Sequence, residues 1–269
     1  MNMKKIAVFL LLAMFAVEGY SWDKRGHDAS CMIAEKYLTK KAGKNMAKYL
    51  EGHQVSWYAS YMDYMGYVYK LGLSNEWFDH CVPVNKENEY ANGDYDNSGI
   101  SQKGDAVMCI RKAIDEMKDG GYRNLPDSTV NLYLKWLIHF VPDIHCPSHV
   151  IYNYHPTNYL VEVGDKKVLF HAIWDHVPDM YGMHDWGPGD YCEELTKGLS
   201  KSEVKEIAMD GDILGWVRQS AVDCHVAYDI VRPDKLTDVD CYNATVLADQ
   251  QLVRGGIRLA WILNMIFGK

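Results

Sequence analysis

Two His-x-x-x-Asp units, His139 with Asp143 and His171 with Asp175, constrain this chain more than any other feature of its sequence. The interval of four puts both side chains on one face of an α-helix, about one turn apart. Each unit therefore works as a chelating pair only if its segment is helical. A single pair of this kind is more often a partly buried ion pair. Two of them, with His149 in between, point to helices that converge on a metal, because neutral imidazole and carboxylate together are a donor mixture that Zn²⁺ accepts. The first unit opens the stretch "HFVPDIHCPSH", residues 139 to 149. Pro142 cannot donate to the carbonyl four residues back, and Pro147 repeats the defect, so the helix is expected to kink or end there. A bend redirects His149, which a straight helix would aim roughly 80° away from His139 at ~100° per residue.

Helical apolar spacing runs through most of the chain. It covers His27 to Leu38, Lys41 to Leu50, Val55 to Tyr69 and Lys103 to Met117, then continues from an N-cap at Asp127-Ser128-Thr129 to Val141. Helices are expected again near His171, Ser202, Asp212 and Tyr242. Residues 75 to 99 are rich in Asn, Gly and Asp and read as a long loop. Tyr159 to Phe170 alternates around Gly164-Asp165 and predicts a β-hairpin. The last apolar helix contains Asp249, Arg254 and Arg258 and so belongs to a core, not a bilayer. The predicted fold class is all-α: one mainly helical domain with one small β-hairpin.

The N-terminus reads as a signal peptide over residues 1 to 21. Lys4 and Lys5 precede an apolar run from Ile6 to Val17, and Gly19 and Ser21 are small residues at the cleavage offsets. The run is short of the ~20 residues a membrane span needs, and no lipid-anchor cysteine follows. The expected product is residues 22 to 269, exported to the periplasm or the exterior, unanchored and monomeric. Removing the leader changes the formal charge from −8 to −9, with 26 basic and 35 acidic residues remaining. Such a surface repels nucleic acid, so any phosphate-handling role needs local positive charge. The seven cysteines of an exported chain predict some disulfides with at least one thiol left over. No Cys-x-x-Cys occurs, which speaks against a thiolate zinc site. Cleavage after Ser21 would leave Trp22 with a free α-amine, whose reference pKa near 8 makes metal binding cheap at neutral pH. Its amine and carbonyl oxygen can chelate one ion, with His27 adding an imidazole from the first helical turn. Asp63 in "ASYMDYM" and His80 in "EWFDHCV" carry little information singly.

Taken together, these positions resemble the trinuclear-zinc, single-strand-specific nucleases, the S-one/P-one or class I nuclease family, which is related to the zinc-dependent phospholipases C. The likeness spans nearly all of the chain after residue 21. It rests on Trp22 with His27, on "ASYMD" for the family's Ala-Ser-Trp-Ala-Asp, on "HFVPDIHCPSH" for His-Phe-x-Gly-Asp-x-x-Gln-Pro-x-His, on "FHAIWD" for Leu-His-x-x-Trp-Asp, and on the closing "GGIRLAWILN". The resemblance implies the phospholipase C/nuclease-like fold and three Zn²⁺ per chain: Asp63, His80, His139 and Asp143 on the first, His149, His171 and Asp175 on the second, and Trp22, His27 and the bridging Asp143 on the third. It also implies catalytic roles for Asp63 and Asp143 and hydrolysis of single-stranded DNA and RNA to 5′-phosphorylated products, with 3′-nucleotidase activity as an accompaniment. Three Zn²⁺ against three aspartates leave about +3 in one cleft, so bound metals rather than lysines would attract phosphate. Tyr61, Tyr64, Trp77 and Tyr154 are candidates for stacking on bases.

The chain departs from the family at two positions. Gly66 stands where the family usually has an arginine three residues after the first aspartate, and Pro83 where it often has a base-recognising aspartate. Two rival readings follow: a zinc-dependent phospholipase C-like phosphoesterase, and a zinc-binding protein without catalysis. The 22-residue interval from His149 to His171 and the closing Asp175, in place of glutamate, favour the nuclease over the phospholipase.

Overall fold

The computed structural model describes residues 22–70, 72, 78–91, 104–152 and 159–269. Residues 1 to 21, Trp77 and Tyr154 lie outside them. Helices dominate: α1 (Lys24–Tyr37), α2 (Lys40–Met46), α3 (Tyr61–Lys70), α4 (Ala106–Met117), α5 (Asp127–Asp143), α6 (Phe170–Asp175), α7 (Pro188–Thr196), α8 (Lys201–Met209), α9 (Ile213–Ile230) and α10 (Asp238–Phe267). Their starts are written into the sequence. The side chains of Asp23, Thr39, Asp105, Ser200, Asp212 and Thr237 each accept a hydrogen bond from a backbone N–H of the first turn, a donor that would otherwise lack a partner inside the helix. The expected cap at Asp127-Ser128-Thr129 is corrected by one residue: Pro126 holds the N-cap position, and Asp127 enters the first turn, where its charge favours the helix dipole. Two helical segments stand out among the elements that escaped the sequence reading. One is α7, started by Pro188 at its first position, and the other is a π-helical turn over Val177–Tyr181.

The 30-residue α10 is the central strut of the core. It packs along α1, crosses α5 and also touches α8 and α2. The close approach of α10 to α1 depends on Gly256. A Cβ there would lie 2.6 Å from the Ser30 carbonyl oxygen and 2.7 Å from Ile33 Cβ. Gly256→Ala is therefore expected to lower stability by about 1–3 kcal/mol, despite alanine's better helix propensity, because two backbones must separate. Chemical unfolding of the variant checks this; a midpoint at or above that of the wild type would contradict the tight crossing.

α5 ends at Asp143, one residue after Pro142, as the two prolines predict. Side chains satisfy the carbonyls freed at this end. The Cys31 thiol donates to Ile138 O (3.6 Å), Trp22 Nε1 donates to Pro142 O (3.3 Å), and His145 Nδ1 donates to Val141 O (2.7 Å). Burial, and then the adjacent Arg258 guanidinium, hold His145 well below the usual imidazole range, leaving Nε2 as an acceptor 2.9 Å from Arg258 Nη1. The buried Arg258 also donates to Ile207 O, Asp210 O and Gln219 Oε1, tying the end of α5 to the α8–α9 junction through α10.

The predicted hairpin is present as β3 (Leu160–Val163) and β4 (Lys166–Leu169), antiparallel around Gly164 in the left-handed region (φ 59°). The loop read over residues 75 to 99 is partly corrected: Val82–Val84 is a strand, β1, which pairs in parallel with β2 (Val150–Tyr152). Among the described residues there are therefore two small two-stranded sheets rather than one hairpin alone. The expected disulfides are also corrected. All seven cysteines are free thiols, five of them buried. Among the described residues, no helix is long and apolar enough to cross a membrane.

Candidate metal centre

Asp143 closes α5 with a fully buried carboxylate, and four imidazoles from four segments converge on it. Its Oδ2 lies 2.9 Å from His80 Nδ1 and 3.1 Å from His139 Nε2. Its Oδ1 lies 3.3 Å from His27 Nε2 and 3.5 Å from His149 Nδ1. Each neighbour is delivered by a different local device. His139 sits one turn before Asp143 on α5, and its Nδ1 donates to Ala59 O (2.6 Å), which fixes the ring with Nε2 inward. His27 comes from the first turn of α1, and its ring stacks on that of His139 with centroids 4.2 Å apart. His80 precedes β1 and His149 precedes β2, and the pairing of Val82 with Val150 brings the two histidines to the same place.

Asp63 joins from the first turn of α3, with Oδ1 3.6 Å from His139 Nε2 and 3.8 Å from His80 Nδ1. Its side chain is 33% exposed whereas Asp143 is sealed, so solvent reaches the cluster on the Asp63 side. The second His-x-x-x-Asp unit lies on α6, with His171 Nε2 3.3 Å from Asp175 Oδ2. The other oxygen of Asp175 lies 3.4 Å from His149 Nε2, so His149 stands between the two aspartates. The indole of Trp22 is buried against Pro142, and the Asp23 N–H donates to Asp175 O (2.9 Å), so the backbone beside Trp22 is held to both units.

The electrostatics follow from this crowding. Burial opposes ionisation of Asp143, but His139, His149 and His27 outweigh it and hold its carboxyl well below the usual carboxylate range. Burial also opposes charge on His139, yet Asp143 and Asp63 prevail and raise it to about 9. Burial keeps His80 and, more strongly, His149 below the usual imidazole range. Asp175 is driven well above the usual carboxylate range by burial, then by Asp143 and Asp63. Without a cation, then, His139 and Asp175 are held toward their protonated forms while Asp143 stays ionised. A cation binding here displaces those protons.

The residues fit such a cation. Asp143 Oδ1, Asp175 Oδ2 and both ring nitrogens of His149 are buried without a hydrogen-bond partner, an arrangement that is costly unless something else satisfies them. Ligand-type atoms lie within 4.8 Å of one another in the sets His27, His139 and Asp143; Asp63, His80 and His139; and Cys146, His149 and Asp175. The first two sets share His139, while Asp143 faces the first from Oδ1 and the second from Oδ2. Sequence reasoning passed over Cys146, although it lies inside the quoted stretch. A fourth set, Asp23, His176 and Asp179, is already engaged: Asp23 caps α1 and Arg25 holds Asp179 at 2.7 Å. Burial raises Asp23 to about 7.

The expected stacking residues are less concentrated. Tyr64 is exposed beside Asp63, while Tyr61 is half-buried with Lys135 Nζ 4.3 Å from its ring centre. Gly66 lies on α3, one turn beyond Asp63, and brings no cation. Pro83 is buried in β1 opposite Ile151, where no side-chain carboxylate is available to read a base.

The sequence profile of the family described as S1/P1 Nuclease matches residues 22–268. The chain is similar to Endonuclease 1 of Arabidopsis thaliana, with 23% identity over 97% of this chain and 92% of the relative. It is also similar to Endonuclease 2 of Arabidopsis thaliana, with 27% identity over 98% of this chain and 96% of the relative.

Proposed function

Because the chain belongs to the S1/P1 nuclease family and is on that ground a nuclease, we propose that residues 22–269 form an exported, zinc-dependent phosphodiesterase domain that cleaves single-stranded DNA and RNA to 5′-phosphorylated products and removes terminal 3′-phosphates. The observation that carries this reading is the divided carboxylate of Asp143, one oxygen turned to His80 and His139, the other to His27 and His149. In this reading Asp63, His80, His139 and Asp143 hold one Zn²⁺, His149, His171 and Asp175 a second, and His27 with Asp143 and the amine and carbonyl of Trp22 a third. Bound zinc supplies Lewis acidity toward phosphoryl oxygens and acidifies water at neutral pH.

The protein's own contribution is order and charge. His139 is fixed by the Ala59 carbonyl, so its Nε2 needs no reorganisation to meet a ligand. Its imidazole neighbours hold the Asp143 carboxyl well below the usual carboxylate range, and its two oxygens face neighbouring positions. Asp63, the most open of these carboxylates, borders the approach of substrate. With residues 22–269 at a formal charge of −9, phosphate would be drawn to bound metal ions and not to the general surface. A single strand can bend its phosphate to the buried cluster past residues such as Tyr64, whereas a paired duplex is too stiff to do so, hence the strand preference. With Gly66 and Pro83 in place of the family's arginine and aspartate, discrimination between bases is expected to be weak.

The test uses protein beginning at Trp22, loaded with zinc and offered single-stranded DNA, RNA, duplex DNA, a 3′-mononucleotide and phosphatidylcholine. The expected result is cleavage of both single strands, loss of activity on chelation and recovery with zinc. Hydrolysis of phosphatidylcholine in preference to nucleic acid would move the protein to the phospholipase reading. Bound zinc with every substrate intact would make it a zinc-binding protein.

A further inference from the structure

The absence of a Cys-x-x-Cys spacing argues against a thiolate at this centre, yet one thiol stands among the candidate ligands. Cys146 is fully buried in the turn between Pro142 and Pro147. Its Sγ lies within 4.8 Å of both a His149 ring nitrogen and an Asp175 oxygen. It is 4.0 Å from Asp175 Oδ1, the same oxygen that His149 Nε2 approaches to 3.4 Å. His149 is fully buried and neither of its ring nitrogens has a hydrogen-bond partner, so the imidazole is aimed at a ligand position that the protein itself does not fill. In a tetrahedral zinc site, with Zn–S near 2.3 Å and Zn–O near 2.0 Å, sulfur and oxygen ligands sit roughly 3.5 Å apart. The observed 4.0 Å separation needs only a small contraction. Another buried thiol has a different occupation: Cys31 donates to the carbonyl freed by Pro142. Among the described residues, Cys146 is the one cysteine that falls in a set of candidate ligands.

We propose that Cys146 is a thiolate ligand of the ion held by His149 and Asp175. This rests on the metal-dependent reading above. His171, 3.3 Å from the other Asp175 oxygen, supplies a further imidazole. Ser148 Oγ, 3.1 Å from Cys146 Sγ and 3.3 Å from Asp175 Oδ1, orients both. On binding, the metal takes the place of the thiol proton, which passes to solvent. The position then has a mixed imidazole, carboxylate and thiolate donor set. Such a set favours Zn²⁺, Co²⁺ and Cd²⁺ over Mg²⁺ and Mn²⁺, and four protein donors leave that ion more enclosed than an open catalytic zinc.

The experiment is cobalt substitution of the protein beginning at Trp22, read by absorption spectroscopy rather than by turnover. The wild type is expected to show both the visible bands of bound Co²⁺ and a near-ultraviolet thiolate-to-cobalt charge-transfer band. Cys146→Ser is expected to lose the charge-transfer band and keep the visible ones. Cys109→Ser, which changes a buried thiol on α4, is expected to keep both. Visible bands without charge transfer in the wild type, or charge transfer that survives Cys146→Ser, would overturn the thiolate ligand while leaving the metal centre in place. Absence of all cobalt bands in the wild type would overturn the metal reading together with it. Should Cys146→Ser fail to fold, cadmium-113 resonance of the wild type decides the matter: a downfield thiolate-type signal is expected, and nitrogen- and oxygen-type signals alone would refute the assignment.

Discussion

Hydrolysis of single-stranded RNA by Asp143→Asn protein is expected to fall by on the order of 10³-fold or more, with metal content below that of the wild type. The size of the effect follows from position. Asp143 carries two imidazoles on each of its oxygens, His80 and His139 within 3.1 Å of Oδ2, and His27 and His149 within 3.5 Å of Oδ1. An amide keeps the shape but removes the charge, and it can present an oxygen to only one side. Two ligand positions are weakened at once. The same change also strips His139 of the stronger of the two carboxylates that hold it charged against burial. Asp63→Asn should cost less, because that side chain is partly solvated and serves one set of ligands. Parallel metal analysis and turnover of the two variants, with circular dichroism to establish folding, make the comparison. An Asp143→Asn enzyme with wild-type rate and metal content would remove the bridging role.

The second large effect is expected at the other end of the site. A protein carrying one additional glycine before Trp22 is expected to lose about 10²-fold or more in activity relative to one that begins at Trp22, since a displaced ligand or ion of this kind is costly. The physical ground is the anchoring of this segment. Trp22 is buried with its Nε1 on Pro142 O, the Asp23 N–H is on Asp175 O, and the Asp23 side chain caps α1 through Gly26 N. The chain is thus held directly after the point at which a free amine would meet an ion shared with His27 and Asp143. An extension converts that amine into a peptide nitrogen, which has no lone pair to offer. Equal metal content and equal turnover in the two forms would show that the terminal amine plays no part.

Much of the fold is local, and to that extent legible in the sequence. Helical apolar spacing, the capping residues Asp23, Thr39, Ser200 and Thr237, and the alternation around Gly164-Asp165 report structure set by neighbours a few residues away. The two His-x-x-x-Asp units belong to the same class, because a four-residue interval on a helix is itself a distance. Pro126 displaced the expected cap of α5 because, with its ring-fixed φ and an extended ψ of 141°, it stands just outside the helix, which begins at Asp127 itself. The disulfides failed for a long-range reason. Composition counts cysteines, but packing decides which thiols can pair: five of the seven are buried as free thiols, and Cys31 is already committed to the carbonyl freed by Pro142.

The sequence by itself determined which residue types are available and, where they share a helix, how they face one another: His139 with Asp143 and His171 with Asp175. Only the tertiary structure decided that these pairs meet. Parallel pairing of Val82–Val84 with Val150–Tyr152 carries His80 to His149, the Gly256 crossing lets α10 lie close against the helix that bears His27, and the turn after Pro142 brings Cys146 into the cluster. None of these is encoded in a short window, because each depends on backbones from distant parts of the chain packing to within van der Waals contact. That contact is settled by burial of the whole core and not by the period of any one segment.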